Sequence, residues 1–243
     1  MTVNAPSRLN GLFVTGTDTG VGKTTIAVAL ARLALRQGRV PIPYKPVETG
    51  CAPDPADARR LWEAARPPVR LAEVCPFPLA LPAAPAAAAT AAGIHLDLVD
   101  LSRLGAALAA RGDFLLVEGA GGLLAPYDES TTNADLAATL GLPVLVIGRT
   151  ALGTINHVAL TVAELRRRSL PLAGVLLVRS AADVAPHEAT NARLIETVAG
   201  IRPLGTFPFL GEPELSDPDR LAEALALAVS PDVVRRLLLG QPD

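Results

Sequence analysis

The run GTDTGVGKTT at positions 16–25 constrains this chain more than any other stretch. It is read as G-x-x-x-x-G-K-S/T, with Gly16, Gly22, Lys23 and Thr24 as its fixed positions, the pattern of a phosphate-binding loop. An apolar stretch at 12–14 with strand character precedes it, and an Ala/Leu-rich stretch at 26–35 with helix character follows. Strand, glycine-rich loop and helix in that order are the context such a loop requires. Glycines let successive backbone N–H groups turn toward a polyphosphate. The helix start adds partial positive charge. Lys23 then reaches the β- and γ-phosphates, and the Thr24 hydroxyl ligates Mg²⁺. The chain is therefore expected to bind a nucleoside triphosphate.

The chain has 243 residues, half of them hydrophobic and only 3% aromatic, so Ala, Leu and Val must make the core. A net charge of −2 offers neither a nucleic acid nor a membrane a basic surface. Cys51 and Cys75 have no metal-ligand or C-x-x-C spacing, which suits free thiols in a reducing compartment. Residues 1–11 lack the apolar segment of a secretory signal. No uninterrupted apolar run reaches membrane-spanning length. A cytoplasmic location is the expectation.

Short apolar runs alternate with longer amphipathic ones. Strands are expected at 12–15, 41–45, 114–118, 144–147, 175–178 and 204–207. Helices are expected at 23–36, 56–65, 98–110, 133–140, 154–168 and 187–198. That alternation implies βαβ units. The expected fold is an α/β, P-loop NTPase-type three-layer fold with a mostly parallel central sheet covered by helices on both faces. Residues 1–243 are read as one domain. The Pro/Ala-rich stretch at 76–92 reads as a long connection, its front half barred from helix by proline and its back half able to form a short Ala helix. The competing reading is a loop beside the active site.

Four further constellations begin where strands end. VEGAGG places Glu118 at the end of a buried strand, the position of a carboxylate that holds Mg²⁺. Gly119, Ala120 and Gly121 then let backbone approach the nucleotide. YKPVETG ends a strand at Lys45, which is either a surface lysine before a proline turn or a second cation in the same crevice that neutralises the γ-phosphate or a charged intermediate. Thr49 is a nearby hydroxyl. Asp57 reads as a helix-start acid or as a second Mg²⁺ carboxylate, with Asp54 competing for either role. LGTINH opens a helix whose exposed N–H groups suit a carboxylate, and His157 there is a general base or a capping residue. No nucleophilic triad or His/Cys metal cluster is suggested.

Taken together, FVTGTDTGVGKT, YKPVETG, VEGAGG, LGTINH and FPFLGEPE resemble the dethiobiotin synthetase family, in the family's order and over roughly 12–214. The resemblance implies an ATP- and Mg²⁺-dependent ring closure. 7,8-Diaminononanoate and CO₂ form a carbamate, the γ-phosphate activates it, and the second amine closes a ureido ring. It implies catalytic roles for Lys23, Lys45 and Thr19, and a metal set of Thr24, Asp57 and Glu118. Gly20, Val21, Gly22 and Thr25 join the nucleotide site. Thr49 and Lys45 face the substrate. Gly153, Thr154, Ile155 and Asn156 receive the diamine carboxylate from the partner of a homodimer. Pro208, Phe209, Leu210 and Glu214 contact the nucleoside.

The chain departs from the family in two places. Val178, followed by Arg179, stands where many members carry an asparagine that reads the adenine edge, which implies looser base discrimination. Gly20 stands where some members carry an acid.

Two other classes compete. A cobyrinate-type amidotransferase would need a glutaminase domain with a catalytic cysteine, which this sequence lacks. A partition-type switch ATPase would carry a second lysine in the loop, where Asp18 stands, and a basic or amphipathic tail. Residues 232–240 are too short and too weakly basic for one.

Overall fold

Residue alternation along the strands determines the architecture. In the computed structural model, which describes residues 9–51 and 53–243, the first strand is β1 (Gly11–Gly16). Its Leu12 and Val14 belong to one apolar cluster, and Phe13 between them belongs to another. The same division holds in β5 (Phe114–Gly122), where Phe114 and Leu116 face one way and Leu115 and Val117 the other. A sheet with two apolar faces needs helices on both sides.

Six strands form the central sheet in the order β2 (Pro41–Tyr44), β5, β1, β6 (Val144–Arg149), β7 (Leu172–Val178) and β8 (Gly205–Phe207). Every pairing is parallel. One face is covered by α1 (Lys23–Arg36), α2 (Ala56–Ala65), α9 (Pro218–Ala228) and α10 (Pro231–Leu238). The other is covered by α5 (Leu98–Ala109), α6 (Asn133–Leu140), α7 (Thr154–Arg167) and α8 (Glu188–Ala199). All six expected strands and all six expected helices form, with ends shifted by a few residues, and the layered α/β fold is the expected one. The N-terminal segment read as lacking a secretory signal lies largely outside the described residues. No described helix is long and apolar enough to cross a membrane.

In α1, Ala27, Ala29, Ala31 and Ala34 are fully buried together with Ile26 and Leu30, so small and large side chains share the packing around the helix. The helix that carries the phosphate loop is thereby fixed.

The structure corrects the reading of residues 76–92 as a plain connection. Phe77–Leu79 forms β4, which pairs in parallel with β3 (Val47–Thr49) as a second small sheet. α3 (Leu71–Val74) precedes β4, and α4 (Pro85–Ala91) is the short alanine helix. Leu79 accepts a backbone hydrogen bond from Cys51, which fixes the segment carrying Glu48 and Thr49. The competing reading, a segment beside the site, is the better one. Cys51 and Cys75 are both free thiols, as expected.

α9 and α10 are absent from the expectations above. Both start with a cap and a proline: Asp217 accepts from the Asp219 amide ahead of Pro218, and Ser230 from the Val233 amide ahead of Pro231. Residues 232–240 are no tail. Val234, Leu237 and Leu238 are buried against the sheet.

α9 is tied to α1 by charge. Arg32 donates two hydrogen bonds to Asp219, at 2.7 and 2.6 Å, and Arg36 donates a third at 2.9 Å. The hydrogen bond from Arg32 leads in holding the Asp219 carboxyl down at about 2, against 3.8 ordinarily. A depressed carboxylate contributes stability above its unfolded value and loses it as pH falls through its folded value. Asp219→Asn should cost about 1 kcal/mol at pH 7, a figure reduced for partial solvent exposure. In urea unfolding, the gap to the parent should close as pH falls from about 4 toward 2. A gap independent of pH would show that charge is not what ties α9 down.

Candidate functional site

The sheet order puts the ends of β2, β5 and β1 side by side, and three functional segments leave from those ends. β1 runs into the phosphate loop. Five residues separate Gly16 from Gly22, one more than the usual four. The extra residue is absorbed by left-handed backbone at Gly20 (φ 68°) and Gly22 (φ 101°), together with a register shift between β1 and β5 at Val14–Gly16. α1 begins at Lys23 with no side-chain cap, so its first N–H groups remain available to an anion.

A cavity of about 300 Å³ opens over this point. It is lined by Thr19, Gly20, Gly22, Lys23, Thr24 and Thr25 from the loop and α1. Lys45, Thr49, Asp57, Glu118, Ala120 and Gly121 complete the expected set. Sequence reasoning missed Glu48 and Arg60, which also line it.

At its base lies a compact polar group. Glu118 is fully buried, and its Oε1 accepts from the Lys45 ammonium at 2.6 Å and from the Thr24 hydroxyl at 2.8 Å. The other carboxylate oxygen, Oε2, is buried without a partner in the chain. Asp57 Oδ2 lies 3.5 Å from the Lys45 ammonium. Burial alone would lower the Lys45 pKa, but the Glu118 and Asp57 carboxylates and the hydrogen bond to Glu118 outweigh it and hold the value above that of an ordinary lysine. Lys23 goes the other way. Burial is the largest cause of its lowered pKa, and the Lys45 charge adds to it. Its ammonium donates to the Asp18 carbonyl at 3.0 Å. Lys23 is a partly desolvated cation whose carboxylate neighbours compensate it incompletely, which suits a site that receives an anion.

Asp57 stands in the first turn of α2, and Glu48 bears on how its carboxylate is used. The Glu48 carboxylate on β3 accepts from the backbone N–H groups of Asp57 (3.0 Å) and Ala58 (2.9 Å), capping α2 from outside the helix. Burial raises its pKa, and those two amides oppose the rise. With its helix start satisfied by another residue, Asp57 is free to turn its carboxylate toward Lys45. Asp54 points elsewhere and pairs with Arg59. VETG therefore carries a capping acid whose role shows only once β3 and α2 are juxtaposed.

Gly119 corrects the view that all of GAG approaches the nucleotide. A Cβ there would lie 2.7 Å from the Asn133 side-chain oxygen. Asn133 donates to the carbonyls of Ala120 and Gly122 and accepts from the Tyr127 hydroxyl, so Gly119 is small to make room for a residue that braces the loop. Gly121 and Ala120 do face the cavity.

The remaining expected residues lie outside the main cavity. Thr154 lines a separate cavity of about 70 Å³ on the far side of the phosphate loop, with Val21, Asp18, Arg149 and His157. Its buried hydroxyl is unpartnered. Gly153 and Asn156 are exposed at the same helix start, with Ile155 half-buried. His157 lies against Gly153, outside the main cavity. Val178 packs on the loop, 3.0 Å from where a Gly22 Cβ would stand. Arg179 is engaged, its amide donating to the Phe207 carbonyl and its guanidinium to Glu188. Pro208, Leu210 and Glu214 line a third depression of about 440 Å³ near α9, and Phe209 is exposed.

A family profile described as an AAA domain matches residues 10–218. An ATP-dependent dethiobiotin synthetase BioD of Anaeromyxobacter dehalogenans strain 2CP-C is 48% identical over 89% of this chain and 96% of its own length. The protein of the same name from Bacillus cereus strain B4264 is 37% identical over 83% of this chain and 84% of its own. Among solved structures, a ParA-family ATPase of Chlorobium tepidum superposes with a TM-score of 0.55 at 14% identity, covering 96% of this chain and 99% of its own. MinD of Aquifex aeolicus, in its complex with MinC, gives 0.53 at 14%, over 94% of this chain and 95% of the other. At that identity the two structures share the fold alone.

Removing one partner of a buried ion pair leaves an uncompensated charge and costs about 3 kcal/mol or more. Lys45→Met should therefore lower stability by that order in urea unfolding. The double variant Lys45→Met/Glu118→Gln should recover more than half of the loss. Strictly additive losses would show that the pair does not act as a unit.

Proposed function

The chain belongs to the ATP-dependent dethiobiotin synthetase family, and from that premise we propose that it closes the ureido ring of dethiobiotin from 7,8-diaminononanoate, CO₂ and ATP. The observation that carries the reading is the convergence of Lys23, Lys45, Thr24 and Glu118 in one small cavity at the start of an uncapped helix. Ring closure by this route needs a carbamate oxygen aligned with the γ-phosphate and charge neutralised around both. Lys23 and Lys45 are the two cations placed to do so.

The steps balance. One amine of the diamine attacks CO₂, loses a proton and becomes a carbamate. A carbamate oxygen takes the γ-phosphoryl group, and ADP leaves. The second amine attacks the carbamoyl carbon and loses a proton, inorganic phosphate leaves as the acyl C–O bond breaks, and the second C–N bond closes the ring. Lys45 is held charged by its carboxylate neighbours, so it acts as an electrostatic clamp and not as a proton acceptor. Thr49 and Thr19, at the rim, are the hydroxyls available to orient the diamine and the phosphate.

The donors suit Mg²⁺. Glu118 Oε2 is a buried carboxylate oxygen with no protein partner, and the Thr24 hydroxyl is 2.8 Å from Oε1. Hard oxygen donors of this kind match the ion, with phosphate oxygens and water completing its shell. Thr24, Glu118 and Asp57 would hold it. When bound, it would neutralise charge on the β- and γ-phosphates.

The proposed assembly is a homodimer, and the chain is read as cytoplasmic and as one domain. Leu152 (89% exposed) and Leu160 (63% exposed) flank the uncapped start of α7. Gly153, Asn156, His157 and Leu160 share a helix face by spacing. A partner seated on that face would bring its diamine carboxylate to the N–H groups of residues 153–156.

The deciding experiment measures phosphate release from Mg-ATP with and without 7,8-diaminononanoate and bicarbonate, with mass detection of the product. Release should depend on the diamine and yield dethiobiotin, and Lys45→Ala should lower it at least about a thousandfold while retaining nucleotide binding. Release indifferent to the diamine would return the chain to the switch-ATPase class. Leu160→Asp should shift the protein to monomer in sedimentation and raise KM for the diamine more than KM for ATP. A variant that stays dimeric with unchanged KM values would remove that face from the interface.

A further inference from the structure

Arg60 is the one cation lining the main cavity to which the reaction above assigns no role. It lies on α2 three residues after Asp57, on the same helix face. Its Nη2 donates to the Leu215 carbonyl at 2.8 Å. Among the described residues it forms no ion pair and no other side-chain hydrogen bond, so the rest of its donor fork has no protein acceptor. Leu215 lies in the 3-10 turn Glu214–Ser216, which leads directly into α9. α2 and α9 both pack on α1, and the bond ties α2 to the turn that leads into α9.

The charge count leaves room for such a cation even when the two charges of a bound Mg²⁺ are included. The cavity holds Glu48, Asp57 and Glu118 against Lys23 and Lys45, so without Arg60 the carboxylates outnumber the lysines three to two. A triphosphate adds three to four further negative charges. A guanidinium presents several donors in one plane, which matches phosphate oxygens.

We propose that Arg60 contacts the nucleotide phosphates, using its free donors while the Leu215 bond holds the guanidinium at the mouth of the cavity. The proposal rests on the ATP reading given above. It adds a phosphate ligand from α2, outside the glycine-rich loop, and couples the phosphate chain to the turn that follows Leu210.

The test is equilibrium binding, at fixed Mg²⁺ and without diamine, of two probes: ATP, and inorganic tripolyphosphate, which has no nucleoside. Arg60→Gln should weaken both about tenfold and flatten the salt dependence of ATP binding. Arg60→Lys should restore part of each loss, and it serves as the second variant should Arg60→Gln fail to fold. Loss of ATP affinity with tripolyphosphate unchanged would overturn the proposal, because Arg60 would then only position the turn. So would unchanged affinity for both. Failure of the parent protein to bind ATP would instead reject the functional reading, and the two failures are thereby distinct.

Discussion

A charged pair buried at the end of three parallel strands organises this protein. Lys45 and Glu118 are almost wholly removed from water, and each is tolerable only because the other is there. Isolated, either would shed its charge or open the sheet. Together they fix β2 beside β5, and the Thr24 hydroxyl ties β5 to the first turn of α1. The pair is thus a structural bolt placed where the chemistry occurs. One oxygen of Glu118 is left over, and Lys23 beside it is less well compensated than Lys45. A site built this way has its polar groups in place before a ligand arrives, so little rearrangement is needed when charge develops.

Strand order makes the bolt possible. β5 lies between β1 and β2 although about seventy residues of chain separate it from β2. That insertion is why the loop after β1, the lysine after β2 and the acid within β5 meet. It also explains which parts of the site were legible in the sequence. Residues 16–25, Lys45 and Glu118 each sit at the end of an apolar run, and parallel sheets gather such ends at one edge. That rule places them at one edge of the sheet; the strand order, which the sequence does not show, makes them neighbours.

What remained illegible depends on contacts between segments distant in sequence or too short to show a period. Glu48 looks like any polar residue in VETG, because its partners are backbone amides of another element. Gly119 reads as a nucleotide-facing glycine until Asn133 is seen filling the space beside it. β3 and β4 are three residues each, below the length at which alternation declares a strand, and prolines beside and within them disguise the rest. α9 and α10 are different. Their Asp-Pro and Ser-Pro starts are local signals present in the sequence itself.

Geometry on the two sides of the phosphate loop bears on how a long substrate is held. The cavity above Lys45 is about 300 Å³ and already lined by phosphate-binding groups. The uncapped start of α7, with its buried and unpartnered Thr154 hydroxyl, faces a different and much smaller space across the loop. A flexible nine-carbon chain with amines at one end and a carboxylate at the other has two polar ends to satisfy. In the reading proposed above, the amine end would meet the lysines and carboxylates of the main cavity, while the α7 start lies at the smaller one. In the proposed homodimer that separation would be useful, because each α7 would serve the neighbour's cavity. The loop between the two sites would then belong to both, since Lys23 lines the larger cavity and Asp18 the smaller one.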